Sequence, residues 1–453
     1  MKINKDHTRY TPYNFITFAS TMFTIEVISV GYGAVDLAFI SSFGSLQIAA
    51  VGLGDLITAL YIAFFAGIVD AYATRLSRAE GSSSTRNHFT VLFSALCIFS
   101  ILSGIFGCIL SRYTPLFLVI FESNPGVANI ASDYISVRML GLPFTIILAA
   151  ISVALRIIGK KNISVSIIFI GFFLNAGFNA IFLYVINIPK FDNPVVAISL
   201  ATIVVQLINC IIGGIILAMS MQPRNDTIKS QIRPSFISVA KPMYAQGLGV
   251  GLRQMNDYAA SVVPFILISR LDISVIAASA VAVKIWTIYC RVPQSLLSSA
   301  GIFIGYARGK NQQEAHKVAK KSFRIIFWPS IAVALITFIL IPFFTLVLGG
   351  NNVDNKVVFL LYGAYLIGVP AYIIENFCSE ILVVERRAAW LSLPSTVVTY
   401  TLTIPLAAIG VIIFNSAFIA ILTSALASII LSIVYLRKIH SVGYSIDLRI
   451  KKR

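Results

Sequence analysis

The stretch AVDLAFISSFGSLQIAAVGLG, residues 34–54, joins two long apolar runs and carries a single acidic residue, Asp36. The runs on its two sides, residues 13–41 and 48–74, each exceed the roughly 20 mostly apolar residues that a membrane-spanning helix needs. Backbone N–H and C=O groups find no hydrogen-bond partner in lipid, so a spanning segment without barrel-like alternation has to be a helix. The stretch therefore predicts two transmembrane helices joined by a short turn.

Further apolar segments of similar length follow along the whole chain. They cover residues 89–111, 132–155, 163–187, 195–221, 242–269, 274–304, 323–348, 357–384, 390–413 and 416–436. Of the 453 residues, 58% are hydrophobic and only 12% are charged, whereas about 25% are charged in a soluble domain. This composition excludes a soluble enzyme and a disordered chain. The predicted fold class is an all-α polytopic membrane protein with twelve transmembrane helices.

The two halves of the chain resemble each other in sequence. The segment FISSFGSLQIAAVGLG at 39–54 is similar to ILISRLDISVIAASAVA at 266–282, with an offset of 228 residues between their paired alanines. The segments RLSRAEG at 75–81 and GYARGKN at 305–311 match at about the same offset. Parallel repeats of this kind are one plan of secondary transporters. We expect two pseudo-symmetric six-helix lobes, an N-lobe at 1–221 and a C-lobe at 242–453, joined by a cytoplasmic loop at 222–241.

The predicted membrane topology accounts for the net charge of +17, because most Lys and Arg residues fall on one side of the membrane. If both termini lie in the cytoplasm, 27 Lys and Arg residues fall in cytoplasmic segments, the C-terminal tail among them, and 4 fall on the opposite side. The positive-inside rule predicts this arrangement, so the basic charge does not indicate a nucleic-acid partner. We expect an integral protein of a bacterial inner (plasma) membrane that contacts lipid and a small-molecule substrate as a monomer.

No motif for catalysis, cofactor binding or metal binding is present in the sequence. The five cysteines lie in apolar runs without ligand-like spacing, and the four histidines lie in polar segments. Phosphate-binding Walker loops, GxSxG elbows and HExxH motifs are absent from the sequence. We therefore expect a transporter that is driven by an ion gradient, has no cofactor and is not an enzyme.

Charged residues inside the predicted segments are the candidates for function. A charge in the middle of a bilayer costs a few kcal/mol, so each one needs a partner or a role. The acids singled out are Glu26, Asp36, Asp70, Asp257, Glu375 and Glu380, and the bases singled out are Arg138, Arg253, Lys284 and Arg291. They are expected to line a polar interior, to pair with one another, or to bind ions.

Asp36 and Asp257 are the leading acids. Asp36 lies late in the first segment, where a carboxylate away from water can load and release a proton or hold Na⁺; alternatively it pairs with an arginine or caps a helix. Asp257 follows Arg253 by four residues, which places both on one helical face as a permanent pair or as a switch. In the tenth segment, Glu375 and Glu380 lie near Tyr372 and are candidates for a cavity in the second half.

Several stretches, in order and spacing, carry a resemblance to a known family. The clearest are AVDLAFISSFGSLQIAAVGLG (34–54), ALRIIGKKN (154–162), LNAGFNAIFLY (174–184), VVAISLATIVVQ (195–206), IAASAVAVK (276–284), IGYARGKNQQEAHKVAKKSF (304–323) and TIPLA (403–407). The chain resembles the multidrug and toxic compound extrusion (MATE) family, part of a superfamily that includes polysaccharide and lipid-linked oligosaccharide flippases. The resemblance implies alternating access and export driven by H⁺ or Na⁺.

The resemblance also assigns residues to sites. In one branch of the family, the aspartate that aligns with Asp36 works with the side chains that align with Asn175, Asn179 and Thr202. That branch has an acid at the position of Asn179, so this chain departs from the pattern there. In another branch a glutamate at the position of Asp257 couples the ion. An aspartate of that branch aligns near Tyr372, with Glu375 one turn further on. Besides Tyr372 and Glu375, the expected substrate cavity includes Arg253, Lys284 and Arg291.

Three function classes remain open at this point. The first is a secondary exporter, an antiporter of drugs or amphipathic metabolites. The second is a flippase or exporter of an anionic lipid-linked or metabolite substrate, in which Arg138, Arg253, Lys284 and Arg291 clamp phosphate. The third is a channel or receptor-like scaffold, which predicts no gradient-driven accumulation.

Overall fold

A computed structural model describes residues 8–82, 84–115, 125–185, 193–221, 235–268, 270–349 and 353–445. These residues form helices and short connections, without a β-strand among them. The α-helices are α1 Pro12–Ile40, α2 Ser45–Gly81, α3 Thr85–Ser111, α4 Pro125–Leu140, α5 Leu142–Ile157, α6 Lys161–Ala180, α7 Pro194–Ser220, α8 Phe236–Ile268, α9 Ile273–Lys310, α10 Gln312–Ile339, α11 Ile341–Gly349, α12 Asn355–Val384, α13 Ala388–Val398, α14 Ile404–Ile412 and α15 Ala417–Ser441. The predicted all-α class is confirmed.

Most of the helices are long and apolar enough to cross a membrane. In the described part of the chain ten helical stretches meet this condition, and the bent pair α4–α5 makes an eleventh. The remaining predicted span, 242–269, coincides with α8 as far as Ile268, and the polar side chains of this helix include Lys241, Arg253 and Asp257. These side chains lower the hydropathy of α8, so the exact count of twelve stays a prediction.

The predicted single helix at 132–155 is wrong in detail. The chain bends by 50° between α4 and α5, and Pro143 occupies the first turn of α5. Proline has no N–H to donate and disfavours helix in the residue before it, which explains the break. The ring of Pro143 also packs against Gly104 of α3, where a Cβ would collide with its Cγ.

The described residues divide into two compact units. One unit contains Thr24–Gly251, and the other contains Met1–Phe23 together with Leu252–Arg453. The divisions fall inside α1 and α8, so each of these helices contributes one half to each unit. The predicted loop at 222–241 lies mostly outside the described residues, and the lobe bounds 1–221 and 242–453 stay a prediction.

Close helix packing builds the core of each unit. In the unit of residues 24–251, α8 lies directly on α2, because Gly247 and Gly251 face the backbone of Phe64 and Ile68 without side chains between them. In the other unit, α12 packs on α15 with Gly368 against Ala425. A buried cluster that includes Ile285, Tyr362 and Ile421 lies among helices α9, α12 and α15.

Candidate functional site

Asp36 lies at the centre of a buried polar site in the unit of residues 24–251. The residue is only 4% exposed. The Oδ1 atom accepts hydrogen bonds from Nδ2 of Asn175 at 2.8 Å and from Nδ2 of Asn179 at 2.7 Å. The Oδ2 atom accepts one from the hydroxyl of Thr202 at 3.3 Å. The predicted grouping of these four residues is confirmed; their role in ion coupling is a separate question.

The helices hold these side chains in place. Asn175 and Asn179 are four residues apart on α6, so they share one face of that helix. The hydroxyl of Tyr32 on α1 donates to the carbonyl of Ile168 on α6 at 3.1 Å, which anchors the two helices to each other. Directly after Asn179 and Ala180, the chain forms a π-helical turn at Ile181–Val185. Such turns are frequent at functional sites.

The site offers ligands for a small cation. The Oδ1 atoms of Asn175 and Asn179 are fully buried, and they have no hydrogen-bond partner among the described residues. A buried amide oxygen without a partner costs about 1–3 kcal/mol. A carboxylate with nearby amide oxygens is the ligand set that hard cations prefer, and a proton on Asp36 could itself be donated to such an oxygen. The described residues hold no group of three or more His, Cys, Asp and Glu that could bind a metal.

A second carboxylate near Asp36 was missed by the sequence analysis. Asp55 on α2 is half-buried, and its Oδ1 accepts a hydrogen bond from the hydroxyl of Tyr134 at 2.5 Å. Arg138 lies one turn after Tyr134 on α4 and interacts electrostatically with both Asp36 and Asp55. Asp55 lies inside the predicted segment 48–74, so the rule that an acid in an apolar segment needs a role would have found it.

A different ion network lies in the unit that contains residues 252–453. Arg253 donates to the hydroxyl of Ser379 at 2.6 Å and to Oδ1 of Asn376 at 2.7 Å. Its guanidinium is also 3.4 Å from the carboxylate of Asp257 and 3.9 Å from that of Glu375. The predicted pairing of Arg253 with Asp257 is confirmed. Glu375 joins them, so two carboxylates share one guanidinium.

The other predicted cavity residues lie along α9 and α12. The hydroxyl of Tyr372 accepts a hydrogen bond from Gln294 at 3.4 Å. Its ring packs edge-on against Trp286, with 5.5 Å between the ring centroids. Lys284 is exposed and Arg291 is half-buried, both on α9. The structure therefore brings Arg253 and Glu375 together, and it places Tyr372 in an aromatic cluster.

The polar contact between α8 and α13 was also missed. Asn256 is completely buried and donates to the hydroxyls of Ser395 at 2.9 Å and Thr396 at 2.8 Å. A second π-helical turn, Thr399–Thr403, follows on the same chain segment. No charged residue marks this contact, and the sequence analysis had searched the apolar segments for charges.

Comparison with known proteins agrees with this geometry. The family model described as MatE matches residues 22–181 and 252–409, more than half of the chain. The chain belongs to the MATE family. The two matched ranges of this MATE chain begin 230 residues apart and end 228 residues apart, which agrees with the offset of the internal repeat.

Individual relatives are distant in sequence. A Neisseria meningitidis protein named "Probable multidrug resistance protein NorM" is 22% identical over 72% of this chain and 70% of its own length. A crystal structure of a MATE protein in complex with MaL6 has a TM-score of 0.80 at 16% identity, covering 98% of this chain and 99% of that one. The eukaryotic MATE transporter AtDTX14 has a TM-score of 0.78 at 14% identity, with 94% and 95% covered. At these identities the structural likeness shows the fold.

Two of the four intramembrane bases already interact with acids. Arg138 interacts with Asp36 and Asp55, whereas Arg253 is held by Asp257 and Glu375. A phosphate clamp needs guanidinium and ammonium groups that are not already paired with acids. No observation favours the flippase alternative.

Proposed function

We propose that this MATE chain is a secondary active exporter of drugs or amphipathic metabolites, driven by a gradient of H⁺ or Na⁺ that acts at Asp36. The observation that carries the proposal is the buried Asp36 carboxylate, which has three neutral donors around it and two unpartnered amide oxygens beside it. The multidrug-resistance name of the Neisseria relative supports the substrate class.

The proposed cycle uses Asp36 as the cation-binding group. With Asp36 ionised, its charge is stabilised by the amide and hydroxyl donors, each worth about 1.5–3 kcal/mol to a charged acceptor. A cation that arrives from outside neutralises the carboxylate and weakens these bonds, which releases α1 from α6 and α7. We propose that this change is coupled to outward release of substrate by alternating access, and that discharge of the cation inward resets the cycle.

The Arg253 network has a different proposed role. When both are ionised, Asp257 and Glu375 together carry one more negative charge than Arg253 neutralises. We propose that this excess charge is balanced either by a cation or by a cationic part of the substrate, so that Asp257 takes part in coupling. Arg253, Glu375 and the aromatic ring of Tyr372, together with Lys284 and Arg291 on α9, are proposed to contact substrate.

We further propose that the protein acts as a monomer in a bacterial inner membrane with both termini in the cytoplasm, as a transporter rather than an enzyme. The excess of Lys and Arg in the predicted cytoplasmic segments supports this orientation. Bacterial relatives such as the Neisseria protein support the choice of membrane.

A counterflow and gradient assay tests the function. Purified protein in liposomes is given ethidium, an aromatic cation, or carboxyfluorescein, an anionic dye, with the pH and Na⁺ gradients varied separately. We expect one of the two cation gradients to drive accumulation of ethidium. Equal movement of the dyes with and without either gradient would contradict the proposal and favour a channel.

A further inference from the structure

The turn between α12 and α13 carries one acid and two bases, and the acid is already paired. Oε1 of Glu385 accepts hydrogen bonds from Nε of Arg308 at 2.7 Å and from the hydroxyl of Tyr444 at 2.8 Å. Arg386 and Arg387, which follow Glu385 in the chain, are exposed. Within the described residues neither of them takes part in an ion pair. The turn therefore presents two positive charges that its own acid does not neutralise.

The backbone of this turn does not account for the arginine at position 386. Arg386 has a φ of 60°. The amides of Arg386 and Arg387 donate to the carbonyls of Val383 at 3.1 Å and Leu382 at 2.8 Å. Helices that end in this way usually have glycine at the residue with positive φ, because a Cβ is disfavoured there. Glycine is therefore the substitution that removes the charge of Arg386 without straining the turn.

A third base lies beside the first turn of α13. Trp390 is three residues after Arg387, and Nζ of Lys438 on α15 lies 5.0 Å from the centre of its ring, within the range of a cation–π contact. The Trp390 ring also packs on Tyr435, with 5.9 Å between the ring centroids. The hydroxyl of Tyr435 donates to the carbonyl of Leu391 at 3.2 Å, which fixes α15 to α13. These contacts hold Lys438 and Trp390 next to the two arginines.

Exposed apolar side chains continue along α13 and α15 from these bases. On α13, Leu393 is 66% exposed and Val397 is exposed one turn further on. On α15, Leu426, Ile433 and Arg437 are exposed at spacings of seven and four residues, so they share one face. Leu426 to Arg437 spans about 16 Å of helix, and one leaflet contributes about 15 Å of hydrocarbon. The apolar strip thus has the length of one leaflet and ends in basic residues where lipid headgroups lie.

We propose that Arg386, Arg387, Trp390 and Lys438 form a binding site for the headgroup of an anionic phospholipid, whose acyl chains lie along the exposed strip of α13 and α15. The lipid phosphate receives N–H groups from the two guanidinium groups and the ammonium group. Tryptophan is enriched at this depth of a membrane because its ring is apolar and its N–H is polar.

Charge and shape together select this occupant. A zwitterionic headgroup carries its own cation, which three neighbouring bases repel, whereas an anionic headgroup carries a net negative charge. The apolar strip beside the bases favours a lipid over a soluble anion, because only the lipid also covers the exposed side chains. The inference does not depend on the proposed transport function.

Fluorescence quenching by brominated lipids tests the site. Trp390 is one of three tryptophans, so Trp286→Phe and Trp328→Phe leave it as the only indole of the full-length chain. This protein is placed in liposomes with equal amounts of phosphatidylglycerol, which is anionic, and phosphatidylcholine, which is zwitterionic. Bromine atoms, which quench indole on contact, are carried on the acyl chains of one lipid or the other. The ratio of the two quenching efficiencies reports the preference of the Trp390 site.

We expect a preference for phosphatidylglycerol of about fivefold or more, because each basic residue near an anionic surface contributes a factor of about five. Arg386→Gly alone is expected to lower the preference while leaving the melting temperature the same or higher, since glycine suits the positive φ. The triple variant Arg386→Gly, Arg387→Gln and Lys438→Gln is expected to show a ratio near one.

A second triple variant controls for net charge. It removes three exposed lysines elsewhere on α9 and α10, through the substitutions Lys310→Gln, Lys317→Gln and Lys321→Gln. We expect it to keep the preference. An equal loss in both triple variants would overturn the inference, because net charge rather than a site would then attract the lipid. A ratio near one in the protein with neither set of substitutions would also overturn it, as would loss of the preference on addition of inorganic phosphate, which would indicate a site for soluble anions.

Discussion

Replacing Asp36 by Asn removes the charge from the proposed cation site while keeping its shape. The introduced asparagine side chain still accepts hydrogen bonds from Asn175 and Asn179 through its own oxygen, and Thr202 can accept from its amide. Each bond to a neutral acceptor is worth about 0.5–1.5 kcal/mol instead of about 1.5–3 kcal/mol. Loss of a buried charge offsets this difference, so the free energy of unfolding is expected to change little.

The effect on transport is expected to be complete. Asp36 is the proposed cation-binding carboxylate, so one cation per cycle is counted at this residue. A tenfold cation gradient then supplies about 1.4 kcal/mol and supports about tenfold accumulation of a substrate exchanged one for one. With Asp36→Asn no cation binds at this position, and the ratio of ethidium inside to outside is expected to fall to that of a passive carrier.

The assay is ethidium accumulation in liposomes under a tenfold pH or Na⁺ gradient, with the apparent melting temperature in detergent measured in parallel. Asp133→Asn, an exposed aspartate that accepts a hydrogen bond from Asn193 at 3.2 Å, is the matched control and should accumulate ethidium normally. Undiminished accumulation by Asp36→Asn would refute the reasoning. A large drop in melting temperature would refute the claim that the fold is kept.

Three further outcomes follow from named contacts. Thr202→Val removes a donor to the Asp36 carboxylate and should lower the free energy of unfolding by about 1 kcal/mol, seen as a lower melting temperature. Arg253→Met leaves its two carboxylate neighbours unpaired and should lower the free energy of unfolding by about 3–5 kcal/mol, seen as a lower melting temperature. Gly251→Ala places a Cβ against the Phe64 carbonyl and should destabilise by about 1–3 kcal/mol, whereas Gly52→Ala, with nothing within 4 Å, should be neutral or slightly stabilising.

The bounds of most helices were predictable because each apolar segment of the sequence is about as long as the helix it forms. The first predicted segment, 13–41, became Pro12–Ile40, and 357–384 became Asn355–Val384. The bend at Gly141 was not predictable in this way, because apolar residues continue across it. It depends on Pro143 at the start of α5 and on the glycine of α3 that makes room for it.

The residues around Asp36 were identified through the family resemblance. Asn175, Asn179 and Thr202 are uncharged, and nothing in the hydrophobic pattern distinguishes them from other polar residues in apolar segments. Asp55 could have been found from its charge alone. Its partnership with Arg138, in contrast, depends on how α2 and α4 pack, which a single sequence does not reveal.

The proposal that Asp36 binds the coupling cation is tested most directly by counting cations displaced when ethidium binds to purified protein. Proton release is read with an indicator dye in weakly buffered detergent solution, and sodium release with radioactive Na⁺. We expect Asp36→Asn to release up to about one cation per molecule fewer than the unchanged protein. Equal release from both proteins would contradict the account.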